Sequence, residues 1–244
     1  MASQRLADLP ILSGATRHAG RSKTIHIDAV YDFLCPWCFV GKRHLDLAIR
    51  QEAEGSVRVR WHQFMLYPEF DRAGHDFLAF FRSKYGEALQ VPMWDAIRAV
   101  AKPVGINFAF ERMTRGPASI DGHRLARWAE RQRAGIAPAL IEDLASSFFE
   151  QAEVIDMAFL VSLAERHGFD GAAAAQYLAS GADMREPFAE TEAWRANGVT
   201  GMPHFILRFA NGNTEIVRKT SIAVFADAFR RDRELARQIA ETAA

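Results

Sequence analysis

No stretch of the chain reaches the roughly 18 uninterrupted apolar residues that a membrane span needs. An excess of charge is missing too: 30 Lys and Arg stand against 30 Asp and Glu, a formal net charge of +0. A balanced chain sets up no global field for nucleic acid or an anionic membrane, and neither is expected as a partner. The opening residues place charges on both sides of a very short apolar patch, Leu9 to Leu12. They lack the basic lead and long apolar middle of a secretory leader. The expectation is a cytoplasmic protein with residues 1–22 as a loosely held arm. Cysteine is down to two residues, Cys35 and Cys38. That excludes a disulfide-stapled scaffold. No second C-x-x-C exists and no histidine pair has ligand spacing, so no metal site is expected within one chain.

What is present is an ordinary globular composition of 244 residues, 49% hydrophobic and 25% charged, enough for a substantial core. The segment TIHIDAVYDF, from Thr24 to Phe33, is β-branched and aromatic and reads as a strand. Trp37 to Glu54 carries apolar residues at Val40, Leu45, Leu47 and Ile49 among Lys42, Arg43, Asp46 and Arg50, a helix stopped by Gly55. Ser56 to Met65 alternates Val57, Val59 and Trp61 with Arg58, Arg60 and His62, a second strand. Helical periods follow over Phe77–Gly86, Pro92–Gly105, Ile120–Ala134, Pro138–Gln151, Asp156–Gly168, Gly171–Ser180 and Met184–Asn197. The β pattern returns in Pro203–Phe209 and Thr214–Arg218 around Asn211-Gly212, a tight-turn dipeptide, before an amphipathic helix over Ser221–Ile239.

With the middle removed the order is β-α-β … α-β-β-α. This predicts an α/β, thioredoxin-like fold with a helical domain inserted between the second strand and the second core helix. The corresponding boundaries are 23–67 and 184–240 for the thioredoxin-like part and 68–183 for the insertion.

The cysteine pair falls where the first strand meets the first helix. A sulfur at a helix N-terminus faces unsatisfied backbone N–H groups and the positive end of the dipole, and both favour thiolate over thiol. Cys35, at the exposed first position, is the expected nucleophile, with a buried, inert pair of thiols the alternative. Cys38, one turn in, is the expected resolving residue that releases product from a mixed disulfide. Pro36 suits the first helical turn, and with Trp37 it tunes the redox poise. Asp32, three residues earlier, reads as a solvated turn acid or helix cap, with proton relay the alternative. His123 and Arg124 share one amphipathic helix and read as structural. Phe77, Phe80, Phe81, Tyr85 and Trp94 have helical spacing, with core packing the default and a groove lining the alternative.

The run DFLCPWCFVGKRHL, a helical insertion and then GVTGMPHF together resemble the DsbA family, in particular its FrnE-like branch. The same superfamily holds 2-hydroxychromene-2-carboxylate isomerases and kappa-class glutathione transferases. The resemblance spans about Ile25 to Phe205 and implies a thiol–disulfide oxidoreductase. It also implies that Pro203 is a cis-proline facing Cys35, with Met202 and His204 beside it and Pro36 and Trp37 between the cysteines as the other substrate-binding residues. Thiol or disulfide substrates are then the partners, with no cofactor and glutathione admitted as co-substrate. It admits a homodimer, which no stripe in the sequence itself calls for.

Two departures stand out. Pro117-Ala118-Ser119 replaces the Pro-Asn-Thr of relatives, and Arg218-Lys219-Thr220-Ser221 replaces a Gly-Ala-Gln turn. The alternative functions are a glutathione-dependent isomerase or transferase acting on a small aromatic substrate, and a non-catalytic binding module on the same scaffold.

Overall fold

The computed structural model describes residues 24–242; the N-terminal arm expected over residues 1–22 lies outside them. The elements are β1 (Ile25–Tyr31), α1 (Pro36–Ile49), β2 (Val57–Gln63), β3 (His75–Asp76), α2 (Phe77–Tyr85), α3 (Glu87–Ala101), β4 (Arg115–Gly116) and α4 (Ile120–Gln132). They continue through α5 (Ala137–Phe149), α6 (Met157–Arg166), α7 (Gly171–Ala179), α8 (Glu186–Ala196), β5 (His204–Arg208), β6 (Thr214–Val217) and α9 (Ile222–Thr242). This is the mixed α/β, thioredoxin-like order with helices inserted after the second strand. Among the described residues no helix is long and apolar enough to cross a membrane.

The chain divides into two compact units. Among the described residues, the first holds 24–31, 41–62 and 192–242. Its sheet runs β2-β1-β5-β6, with β5 antiparallel to both β1 and β6. Period-two alternation puts Ile25, Ile27 and Ala29 of β1 with Phe205 and Leu207 of β5 on one face, against Leu45 and Ala48 of α1 and Phe225, Ala228 and Phe229 of α9. The alternate positions form a polar layer: Asp28 accepts from His62 Nε2 at 2.9 Å and from Arg208 Nε at 3.0 Å. Those two bonds and the positive charges hold the Asp28 carboxyl below its ordinary range against the opposing pull of burial.

The second unit holds Asp32–Val40 and Gln63–Thr191. Its core is aromatic: Trp94 stacks on Phe110 at 5.2 Å, Phe110 on Phe108 at 4.7 Å, and Phe39 meets Phe108 edge-on at 6.2 Å. Arg124 of α4 is fully buried. It donates to the carbonyls of Tyr177, Leu178, Ser180 and Ala182 and to Asp121, so it satisfies the chain leaving α7.

Boundaries shift for physical reasons. Helix α1 ends at Ile49 because Gln51 and Glu52 donate to Ala48 and Ile49, three residues back, which tightens the exit into a turn. Helix α3 starts before Pro92 and carries it internally, giving up one backbone bond while Trp94, Ile97 and Ala101 bury its apolar face. The β5–β6 hairpin uses Asn211-Gly212 in a longer loop than a two-residue turn. Phe209 donates to Asn213 at 2.9 Å, and Gly212 sits at φ +83, after the turn rather than at its centre.

Candidate active site

Strand β1 runs out at Tyr31, and the chain turns through Asp32, whose carbonyl accepts the Cys35 N–H at 3.0 Å. Helix α1 then opens with Pro36, where a missing donor leaves nothing unpaired. Cys35 is the residue before it and does the work of a helix cap. Its carbonyl accepts from Cys38 at 2.9 Å and from Phe39 at 3.2 Å, and its sulfur accepts the Cys38 N–H at 3.3 Å. A cap side chain normally offers an oxygen to this third amide; here the sulfur takes that place.

Both thiols are free. Cys38 is enclosed: burial, and after it the neighbouring Cys35 sulfur, push its thiol well above the ordinary range. Cys35 is not the exposed position expected of it, at 4% against 41% for Trp37. The helix start lies inside the fold, with Asp32 and Phe33 buried before it and Phe39 and Val40 buried after it.

Asp32 differs most from the sequence reading. It is no solvated turn acid but fully buried. Donors replace the water: Leu34 N–H at 3.0 Å, Leu66 N–H at 2.8 Å and Ser119 Oγ at 3.2 Å. His123 Nε2 lies 3.5 Å from its other oxygen, and the His123 ring meets Phe33 edge-on at 5.7 Å. A Cβ on Gly122 would stand 2.4 Å from the Phe33 ring, so glycine is what lets α4 approach the cysteine turn.

Met202, Pro203 and His204 belong to the first unit. The Met202–Pro203 peptide is cis. A Cβ added to Gly41, three residues beyond Cys38 on α1, would meet Phe205 at 3.1 Å and Pro203 at 3.4 Å, so this glycine admits the segment. His204 is buried, and among the described residues both ring nitrogens lack a hydrogen-bond partner. Burial, then the Arg218 charge, lower it to about 4, which keeps the imidazole neutral.

Residues 26–230 match the DSBA-like thioredoxin domain. The chain belongs to the DsbA-like thioredoxin family. Among curated proteins this family member is similar to YwbO of Bacillus subtilis (strain 168), 26% identical over 188 residues, covering 75% of this chain and 87% of that protein. Among solved structures it is similar to a probable DsbA oxidoreductase from Streptomyces coelicolor, with a TM-score of 0.74 and 25% identity over 85% of this chain and 89% of that one. It also shares its fold with the cytosolic disulfide reductase DsbM of Pseudomonas aeruginosa, TM-score 0.57 and 19% identity over 88% and 99% of the two chains.

Sequence reasoning missed Ser119, Leu66 and Tyr67 as neighbours of the DsbA-like motif. Only the departure at Pro117-Ala118-Ser119 signalled that the start of α4 was involved.

Proposed function

We propose that the protein is a thiol–disulfide oxidoreductase in which Cys35 is the nucleophile and Cys38 the resolving cysteine. The observation that carries this reading is the asymmetry of the pair: the Cys35 sulfur accepts a backbone amide at 3.3 Å, while burial holds the Cys38 thiol in its protonated form. The Cys35 thiolate attacks one sulfur of a substrate disulfide, forms a mixed disulfide and expels the other half as a thiolate. Cys38 then attacks the Cys35 sulfur; its proton leaves with the released substrate thiol, and a Cys35–Cys38 disulfide remains. Two electrons pass from the cysteine pair to the substrate. The same steps run backward to oxidise a dithiol.

Pro36 and Trp37 set the poise of the pair in this reading, and Met202, Pro203 and His204 bind the substrate chain. Pro203 itself supports that role, since a proline offers no donor and leaves neighbouring backbone groups for an extended substrate. A cytosolic location and small or protein thiol partners belong to the same reading. The glutathione-dependent isomerase reading draws less from the site: Ala118 has no side-chain amide to offer, and Ser119 gives its hydroxyl to Asp32.

Insulin reduction tests the proposal. Wild type should turn over, Cys35→Ser should lose activity, and Cys38→Ser should accumulate a mixed disulfide visible by mass spectrometry. With Cys35 only 4% exposed, access is part of the claim. A native protein whose Cys35 resists iodoacetamide, or a Cys35→Ser variant as active as wild type, overturns it.

A further inference from the structure

Helix α2 carries aromatic side chains toward two different sets of neighbours. Phe77 and Phe81 pack into the helical core, the first edge-on to Phe148 at 6.0 Å and the second against Trp94 at 5.5 Å. Phe80 faces another cluster, 5.0 Å from Tyr67 and 4.9 Å from Phe70. The Tyr85 hydroxyl lies 3.5 Å from that of Tyr67. Over this cluster stands the exposed Lys84, its ammonium 3.9 Å from the Tyr67 ring centre and 5.7 Å from that of Tyr85. Among the described residues no carboxylate lies within ion-pair distance of it.

The cluster is tied to the cysteine turn by backbone bonds. Leu66 donates to the Asp32 carboxylate at 2.8 Å, and Cys35 donates to the Asp32 carbonyl at 3.0 Å, so Tyr67 follows directly on a residue fixed to the turn that holds Cys35. Electrostatics agree. Burial raises the Tyr67 hydroxyl and the Cys35 charge adds to it; burial and Tyr67 push Tyr85 up to about 12, again with a contribution from Cys35. Both phenols therefore stay neutral and leave Lys84 as the uncompensated positive charge of the cluster. The negative groups that act on the Tyr67 hydroxyl beneath it are the Cys35 sulfur, the buried Asp32 and the exposed Glu69.

We propose that Lys84, steadied on the Tyr67 and Tyr85 rings, is a recognition subsite for an acidic group on the disulfide or thiol that reacts at Cys35, so that the preferred substrate is anionic. A cation held against aromatic faces is oriented before the substrate arrives, and one without an internal partner favours a carboxylate over an ammonium. This rests on the thiol–disulfide reading and adds the class of substrate.

The test uses the full chain, reduced, in stopped-flow reactions with two small disulfides of opposite charge: oxidised glutathione, which is acidic, and cystamine, which is basic. The quantity read is the ratio of their second-order rate constants within each variant, which a general loss of reactivity leaves untouched. Lys84→Glu should lower the acidic-to-basic ratio about tenfold, and Lys84→Gln should lower it by less. Glu69→Gln should raise it. Arg237→Glu makes the same change in net charge on α9 and should keep the wild-type ratio. A ratio in Lys84→Glu and Lys84→Gln within twofold of wild type overturns the subsite while leaving the redox reading standing. A wild-type protein that reacts with neither disulfide overturns the redox reading itself.

Discussion

Leu66 donates its backbone N–H to Asp32 Oδ2 at 2.8 Å, joining residues 34 apart in the chain at the turn that precedes Cys35. Leu34 and Ser119 donate to the same carboxylate. Removing it strands three donors, one buried and two part-buried, each worth about 1 kcal/mol when left unmade. Asp32→Ala is therefore expected to lose about 2–4 kcal/mol in urea denaturation, and Ser119→Ala about 1 kcal/mol. Asp32→Asn separates shape from acceptance, because one of its two terminal atoms turns from acceptor into donor. It should fall between the two. A loss below about 0.5 kcal/mol in Asp32→Ala would mean that water takes over the three donors.

How much of this was legible beforehand follows from what each signal measures. The strand, helix, strand start and the hairpin near the end show in Ile25, Ile27, Val57, Val59 and Asn211-Gly212, because period and turn chemistry are local properties. The cysteine spacing is local as well, and it identified Cys35 as the helix-start sulfur. Asp32 was misread because its surroundings are not local: Leu66, Ser119 and His123 reach it from distant segments, and an acid beside a helix start reads as a cap by default. The exposure of Cys35 was misjudged for the same reason, since a helix N-terminus says which backbone groups face a sulfur and nothing about what covers it. The two roles of the aromatic run on α2 share one helical period, so only the tertiary neighbours of Phe77 and Phe80 could separate them.

Arg124 offers a test of the helical unit that does not touch the cysteines. Its guanidinium reaches four backbone carbonyls and Asp121 from a fully buried position. A lysine keeps the charge but has no planar fork with which to serve them together. Arg124→Lys should destabilise by about 3 kcal/mol, the range for breaking a buried charged network, and lower the melting temperature by about 6–12 °C. Calorimetry of the purified variant reads this directly. A shift of less than about 2 °C would assign those carbonyls to solvent instead.

Gly41 should separate two opposing effects. A Cβ there meets the Phe205 ring at 3.1 Å, close enough that the ring must move slightly. Against this, alanine is better than glycine in a helix by about 1 kcal/mol. Gly41→Ala is accordingly expected near neutral. Gly41→Val adds two methyl groups where Pro203 Cγ stands 3.4 Å from the Cβ, and overpacking of this kind costs about 1–3 kcal/mol. Chemical denaturation of the pair gives the comparison, and a valine variant as stable as the alanine one would show the Phe205 ring to be loosely held.

His204 gives the acid limb of the stability curve. Burial and the Arg218 charge lower it to about 4, against an ordinary histidine value of about 6.5 in the unfolded chain. Between those values the unfolded state binds a proton that the folded state refuses, so folding becomes more favourable as pH rises through that window. The stability is complete above about 6.5 and is lost as pH falls toward about 4. Replacing the imidazole by a neutral ring of similar size, His204→Phe, removes the proton that drives the loss. The variant should lose less stability than wild type between pH 7 and pH 4.5, measured by urea midpoints at each pH. Parallel slopes for the two proteins over that interval would assign the acid sensitivity to other groups, the His44 and His75 imidazoles first among them, since burial also lowers both in the folded state and their contributions also fade as acid is added.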